Sequence, residues 1–183
     1  MKLMKVLKIT GIVILLLVMV GYGLVFYTKL ASPKDVVELK EGDFFTKIVY
    51  CQPSVKNRKV FGEVVPFGKV WRTGANEATE ITFNQDIVFG GKSVKAGTYA
   101  LFTIPTPEKW TIILNSVLGQ WGSFTYDSTK DVLRVEVSSL KNEKVVEKFK
   151  ISLDKNEKMI DLTMVWEKTK VIIPIEKTIK VAF

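Results

Sequence analysis

Residues 160–166 read Ile-Asp-Leu-Thr-Met-Val-Trp, so Ile160, Leu162, Met164 and Trp166 alternate with Asp161 and Thr163. On a helix, side chains two positions apart point to opposite sides. On a strand they share one face, which marks an extended segment with one dry and one wet side. The pattern recurs upstream. Phe149, Ile151 and Leu153 alternate with Lys148, Lys150 and Ser152, and Leu133, Val135 and Val137 alternate with Arg134 and Glu136. Ile81, Phe83, Ile87 and Phe89 read as one face, opposite Glu80, Thr82, Asn84 and Asp86.

Turn signals separate these runs. Gly90-Gly91 is a hairpin signal, and Pro105-Thr106-Pro107 ends another strand. Lys141-Asn142-Glu143, Asp154-Lys155-Asn156-Glu157 and Glu167-Lys168-Thr169 are polar breaks at hairpin spacing. Val171–Ile175, Ile179 and Val181 read as the last strand or two of the core. The expectation is an all-β fold of seven to nine short strands. An antiparallel β-sandwich is favoured, with a β-barrel as the alternative.

The first thirty residues are different. Ile9–Thr28 is a run of 20 residues without a charge. As a helix it spans ~30 Å, the thickness of a bilayer's hydrocarbon core. Lys2, Lys5 and Lys8 precede it, which puts the N-terminus in the cytoplasm and the rest outside. Tyr22, Phe26 and Tyr27 gather at the far end, where aromatic rings favour the interface. Residues 1–30 are therefore read as a membrane anchor, making contact with the membrane through residues 9–28, and 31–183 as an extracytoplasmic β-rich domain. The alternative is a cleaved signal peptide releasing a secreted or periplasmic domain; the run Ile12–Val20 suits one, but the chain stays apolar beyond it through Tyr27.

Composition excludes several function classes. The net charge is +8, of which +4 comes from Lys2, Lys5, Lys8 and Lys29. The rest of the chain carries 23 basic and 19 acidic side chains, interspersed, which is no nucleic-acid footprint. There is no histidine, so no Ser-His-Asp or Cys-His nucleophile and no His-based zinc site can be built. The single cysteine, Cys51, closes no intramolecular disulfide and reads as a small core residue. No metal or cofactor is expected.

Alternation fails over residues 50–79, YCQPSVKNRKVFGEVVPFGKVWRTGANEAT. Pro53, Gly62, Pro66, Gly68 and Gly74 punctuate an irregular excursion too long to be a plain connection. Val60, Phe61, Val64, Val65, Phe67, Val70 and Trp71 give it an apolar payload that would fold it down over one end of the domain. Its polar residues are the candidate ligand-binding set. Arg58 and Arg72 offer planar donors for carboxylate or phosphate, Asn76 a donor and an acceptor, and Glu77 an acceptor. Trp71, and Trp121 further on, are candidate stacking faces. A positive φ at Gly74 would turn Asn76 and Glu77 back towards Arg72. The competing reading is structural: Arg72 pairs with Glu63 or Glu77 to pin the loop, and Trp71 is core.

The run Trp71-Arg72-Thr73-Gly74-Ala75-Asn76-Glu77-Ala78-Thr79 closely resembles the signature of a bacterial family known as domain of unknown function 2911. The resemblance extends through Phe61-Gly62, Val65-Pro66-Phe67-Gly68, Gly91-Lys92, Ala96-Gly97-Thr98-Tyr99, Ile104-Pro105, Trp110, Trp121-Gly122, Trp166 and Pro174, covering roughly residues 32–176. It implies an exported or envelope protein, and no catalytic residue comes with it. The chain departs from the family pattern in three places. Members commonly read Tyr-Ser-Arg-Pro where this one has Tyr50-Cys51-Gln52-Pro53, Gly-Arg where it has Asn57-Arg58, and Tyr where it has Phe67. If that first arginine touches a ligand in relatives, Gln52 weakens the contact here.

The resulting expectation is a non-catalytic envelope module that binds a ligand, such as a glycan or another envelope protein, at the loop. One alternative is a carboxylate-dependent hydrolase of envelope glycans. It would need two carboxyl groups ~5–9.5 Å apart, and Glu63, Glu77, Asp127 and Asp131 are the acids near aromatic or glycine-rich segments. Asp127 and Asp131 lack the glycine and further acids of a calcium loop. The other alternative is a structural or assembly role played by the edge strands.

Overall fold

The structure is a computed structural model and describes residues 2–156 and 159–178. A single long helix, α1 (Lys2–Ala31), precedes ten strands among the described residues: β1 (Lys34–Glu41), β2 (Phe44–Cys51), β3 (Thr79–Phe83), β4 (Ile87–Phe89), β5 (Lys92–Val94), β6 (Gly97–Pro105), β7 (Lys109–Asn115), β8 (Asp131–Ser138), β9 (Leu140–Lys155) and β10 (Ile160–Lys177). Helix α1 is apolar and long enough to cross a membrane, and its described side chains touch little of the domain.

The strands form two antiparallel sheets, one ordered β1-β2-β3-β6-β7-β8 and the other β5-β4-β10-β9. The fold is an open sandwich and not a closed barrel. Alternation explains most of it. Phe44, Thr46, Ile48 and Tyr50 of β2 are buried between the sheets, as are Ile160, Leu162, Met164 and Trp166 of β10. Each apolar side chain so buried contributes about 1.5–3 kcal/mol relative to exposure. β6 breaks alternation: Ala100, Leu101, Phe102 and Thr103 are all buried. Its outer face carries a second, smaller cluster of Ala78, Ala100, Phe102 and Ile113, covered by Val70 and Tyr126 from loops.

Several expectations change. Ile81 and Phe83 do not continue into Ile87 and Phe89 on one sheet. The chain crosses at Asn84-Gln85-Asp86, so the two pairs face the same core from opposite sheets, with the Phe83 and Phe89 rings 6.0 Å apart. The polar runs 141–143 and 167–169 are not turns. They lie inside β9 and β10, where the register slips between Val165 and Thr169 and Glu167 takes φ 53°. A bulged ladder absorbs the irregularity without reversing the chain. The expected turns at 90–91 and 105–107 are present. Gly90 and Gly91 have φ 54° and 82°, as a two-residue hairpin favours. The β9–β10 turn begins after Lys155; Glu157, Ile179 and Val181 lie outside the described residues.

Candidate functional site

The irregular segment runs from Gln52 to Ala78, between β2 and β3. Main-chain bonds pin its first part to β9: Val55 N donates to Glu147 O and Phe149 N to Pro53 O. A tight reversal follows, closed by Val65 N to Val60 O and held to β10 where Val60 N donates to Glu167 Oε2. The segment then lies against β6, exchanging two bonds between Trp71 and Thr103. Val60, Phe61, Val65 and Trp71 enter the main core, while Val64 and Phe67 stay partly exposed.

Trp71 is core, packed against Phe61, Trp110 and Phe149 and stacked on Trp166 at 5.9 Å. Its Nε1 donates to Gly74 O. Its ring face is therefore closed to a ligand. Trp121 is 44% exposed and keeps a free face.

The turn after Trp71 is held from inside. Thr79 Oγ1 donates to Thr73 O at 2.6 Å, and Thr73 Oγ1 meets Thr103 Oγ1 at 3.2 Å. The positive φ values fall on Thr73 (55°) and Asn76 (56°), whereas Gly74 has none. Gly74 serves another purpose: a Cβ there would sit 3.0 Å from Cys51 O, so glycine permits the close approach of the loop to β2. A β-branched residue at positive φ is an outlier costing about 1–3 kcal/mol and persists only when its surroundings over-determine it. Thr73 is fully buried within such bonds. The turn is thus rigid, and the side chains it carries are pre-organised.

Those side chains separate. Glu77 does not approach Arg72. It lies 3.8 Å from Lys29 Nζ, and Cys51 Sγ donates to it at 3.7 Å. Asn76 Nδ2 donates to Ser32 O at 3.3 Å and Thr28 O at 3.4 Å, reaching carbonyls at the end of α1. Arg72, Asn76 and Arg58 line one open hollow of about 260 Å³ with Lys56, against Tyr27, Thr28 and Ala31 of α1. Among the described residues no acidic one lines it. Arg58 donates to Val55 O and Ser54 O, which fixes its guanidinium at the rim. Among the described residues Arg72 makes no ion pair, and its buried Nε has no partner. Burial lowers the Arg72 pKa below the usual guanidinium range. Lys56 was not among the expected residues; the signal for it was the basic run Lys56-Asn57-Arg58-Lys59.

Glu77 faces a second hollow of about 200 Å³, shared with Lys34, Cys51 and Glu80. Cys51 is buried, and that burial, with Glu77 beside it, pushes the thiol pKa up, against reactivity. Gln52 donates to Asp35 Oδ2 and Tyr50 Oη and does not line the basic hollow. The other acids considered for hydrolysis face solvent or are held by local partners. Glu63 is exposed on the 60–65 reversal. Asp127 accepts from Thr129 N, and Asp131 is tied to Arg134, Tyr126 and Asn115. Among the described residues no group of three or more His, Cys, Asp or Glu is placed to hold a metal ion.

The rigid WRTGANEAT turn lies within a match to the family model described as Protein of unknown function (DUF2911), which spans residues 32–175. The chain belongs to the DUF2911 family. No curated protein and no solved structure matches it. The DUF2911 match begins just after α1 and takes in both sheets, ending two residues before the end of β10. The chain is therefore a DUF2911 domain preceded by one apolar helix, which is a membrane anchor or a signal sequence.

Proposed function

We propose that this DUF2911 protein is a single-pass membrane-anchored module, N-terminus inside and domain extracytoplasmic, that binds an anion-bearing envelope ligand without catalysing its reaction. The observation that carries the binding site is Arg72. Its side chain, whose buried Nε has no partner among the described residues, lines a hollow that also presents Arg58 and Lys56 and, among the described residues, no acid. Arg72 is half-buried, and a partly desolvated guanidinium gains a charge-assisted hydrogen bond from an anion that enters the hollow and reaches its accessible end. Guanidinium forks match carboxylate and phosphate oxygens in pairs, and the strained turn beneath Arg72 fixes the donor before a ligand arrives.

Two features support the uncleaved anchor. Asn76 and Glu77, from the rigid turn, contact the last turn of α1. Three lysines precede the apolar run, which favours an inside N-terminus. The intact mass of the protein extracted from membranes tests this part: a chain that includes α1 is expected, and a soluble chain beginning beyond it would sink the anchor.

The binding site is tested by calorimetric titration of the detergent-solubilised full chain with inorganic phosphate, pyrophosphate and glucuronate. Saturable binding of at least one is expected, lost in Arg72→Gln with the melting curve retained. Binding of none, or binding by Arg72→Gln equal to that of the unsubstituted chain, would overturn the reading.

A further inference from the structure

The basic hollow lies at a defined depth. Its wall is Tyr27, Thr28 and Ala31, the final turn of α1. The uncharged run of α1 ends at Thr28, and its 20 residues already span ~30 Å of hydrocarbon. With α1 in a bilayer, Arg58, Arg72 and Lys56 stand at the level of lipid headgroups, where phosphates are concentrated.

A second segment points to the same boundary. The loop of residues 116–127 is bonded to the turn that carries Asn76: Gly122 N donates to Asn76 O at 2.9 Å and Ala78 N to Gln120 O at 2.8 Å. This loop leaves Leu118, Trp121 and Phe124 exposed, Phe124 at 87%. Exposed aromatic side chains beside exposed cations are the composition of a membrane–water interface. One feature opposes an anion here, since the C-terminal end of a helix carries partial negative charge. Asn76 Nδ2, bonded to Thr28 O and Ser32 O, offsets it.

We infer that the hollow formed by Arg58, Arg72 and Lys56 seats the phosphate of an anionic phospholipid headgroup in the leaflet where α1 ends, with Trp121 and Phe124 entering the interface beside it. The inference rests on the anion-binding reading above and names its ligand. The Arg72 fork takes two phosphate oxygens, Arg58 and Lys56 neutralise the remaining charge, and the apolar side chains set the height of the domain on the bilayer.

Two measurements test it on the full chain. In native mass spectrometry from micelles doped equally with phosphatidylglycerol and phosphatidylcholine, the wild type is expected to retain phosphatidylglycerol at least tenfold over phosphatidylcholine. Arg58→Gln/Arg72→Gln is expected to lose the preference. Should that double variant fail to fold, Lys56→Gln, on an exposed side chain, is expected to reduce the preference several-fold. In nanodiscs, lipids brominated near the carbonyl are expected to quench Trp121, because Trp71, Trp110 and Trp166 are buried. Trp121→Phe is expected to abolish most of that quenching. Inorganic phosphate binding that depends on Arg72, without a phosphatidylglycerol preference, overturns the lipid assignment and leaves the anion reading standing. Loss of both overturns both, and quenching unchanged in Trp121→Phe overturns the seating of the domain.

Discussion

Two irregular segments meet at one end of the sandwich, and they are built in opposite ways. Residues 52–78 bury most of their apolar side chains and leave cations outside: Phe61 and Trp71 join an aromatic cluster, while Lys56 and Arg58 face solvent. Residues 116–127 bury polar groups and leave apolar ones outside. Gln120 is buried, donating to Val117 O and accepting from Thr125, and Asn115 at the loop's root donates to Asp127 O and Asp131 Oδ1. Leu118, Trp121 and Phe124 are left in water. Backbone outside a ladder must be satisfied and fixed by something. Where aromatic packing does the fixing, polar side chains are free to line a hollow. Where buried amides do it, apolar side chains are free to face a partner. The two outer surfaces together form one boundary, cationic on one side and apolar on the other.

The largest blow to this contrast is Trp71→Ala. It removes the ring joining Phe61, Trp110, Phe149 and Trp166, and is expected to cost about 3–5 kcal/mol, read as a lowered urea midpoint. A loss below about 1 kcal/mol would mean that main-chain bonds alone hold the first segment.

Asn115→Ala strikes the second segment. It strips donors from Asp127 O and Asp131 and the acceptor from Val117 N. About 1–3 kcal/mol is expected for the partners left unpaired, with faster amide exchange across 116–127 than across 52–78. Equal acceleration in both segments would show that they are one unit.

Tyr126 sharpens the comparison through pH. Its hydroxyl donates to Asp131 Oδ2 at 2.7 Å and accepts from Arg134 Nη2. Burial first, then the Asp131 carboxylate, push its pKa up to about 12, and Arg134 opposes them. The folded protein holds this proton more tightly than an unfolded tyrosine, which titrates near pH ~10. The stability it contributes is complete below pH ~10 and is lost as pH rises towards ~12. Tyr126→Phe is expected to flatten the decline of the denaturation midpoint over that window; an unchanged slope would place the alkaline sensitivity elsewhere.

Phe124→Ser is expected to change least. The side chain is exposed, so stability should move by no more than ~0.5 kcal/mol. A drop comparable to that of Asn115→Ala would mean that the apolar rim of the second segment is structural after all.

Much of the sandwich was legible in residues. Alternation at 133–137, 149–153 and 160–166 named β8, β9 and β10 and their inward faces, because period-2 burial is a local property of an extended chain. The same reading joined Ile81–Phe83 to Ile87–Phe89, since alternation tells which residues are dry and not which sheet they belong to. It took 141–143 and 167–169 for turns, because composition does not distinguish a reversal from a bulge whose partner strand absorbs the slack. The irregular segment and its anchor residues Val60, Phe61 and Trp71 were legible too. Gly74 was assigned the wrong reason: the left-handed positions are Thr73 and Asn76, and only the approach of β2 explains the glycine.

The sequence by itself determined the helix, the two-faced strands, the absence of histidine chemistry and the place where regular structure stops. Each of these follows from the order of side chains along a few residues. Only the tertiary structure decided that Glu77 turns to Lys29 and Asn76 to the end of α1, leaving Arg72, among the described residues, without an ion pair beside Arg58 and Lys56. Partners of charged side chains separated by tens of residues are chosen by how loops pack across sheets, and no local pattern encodes that choice.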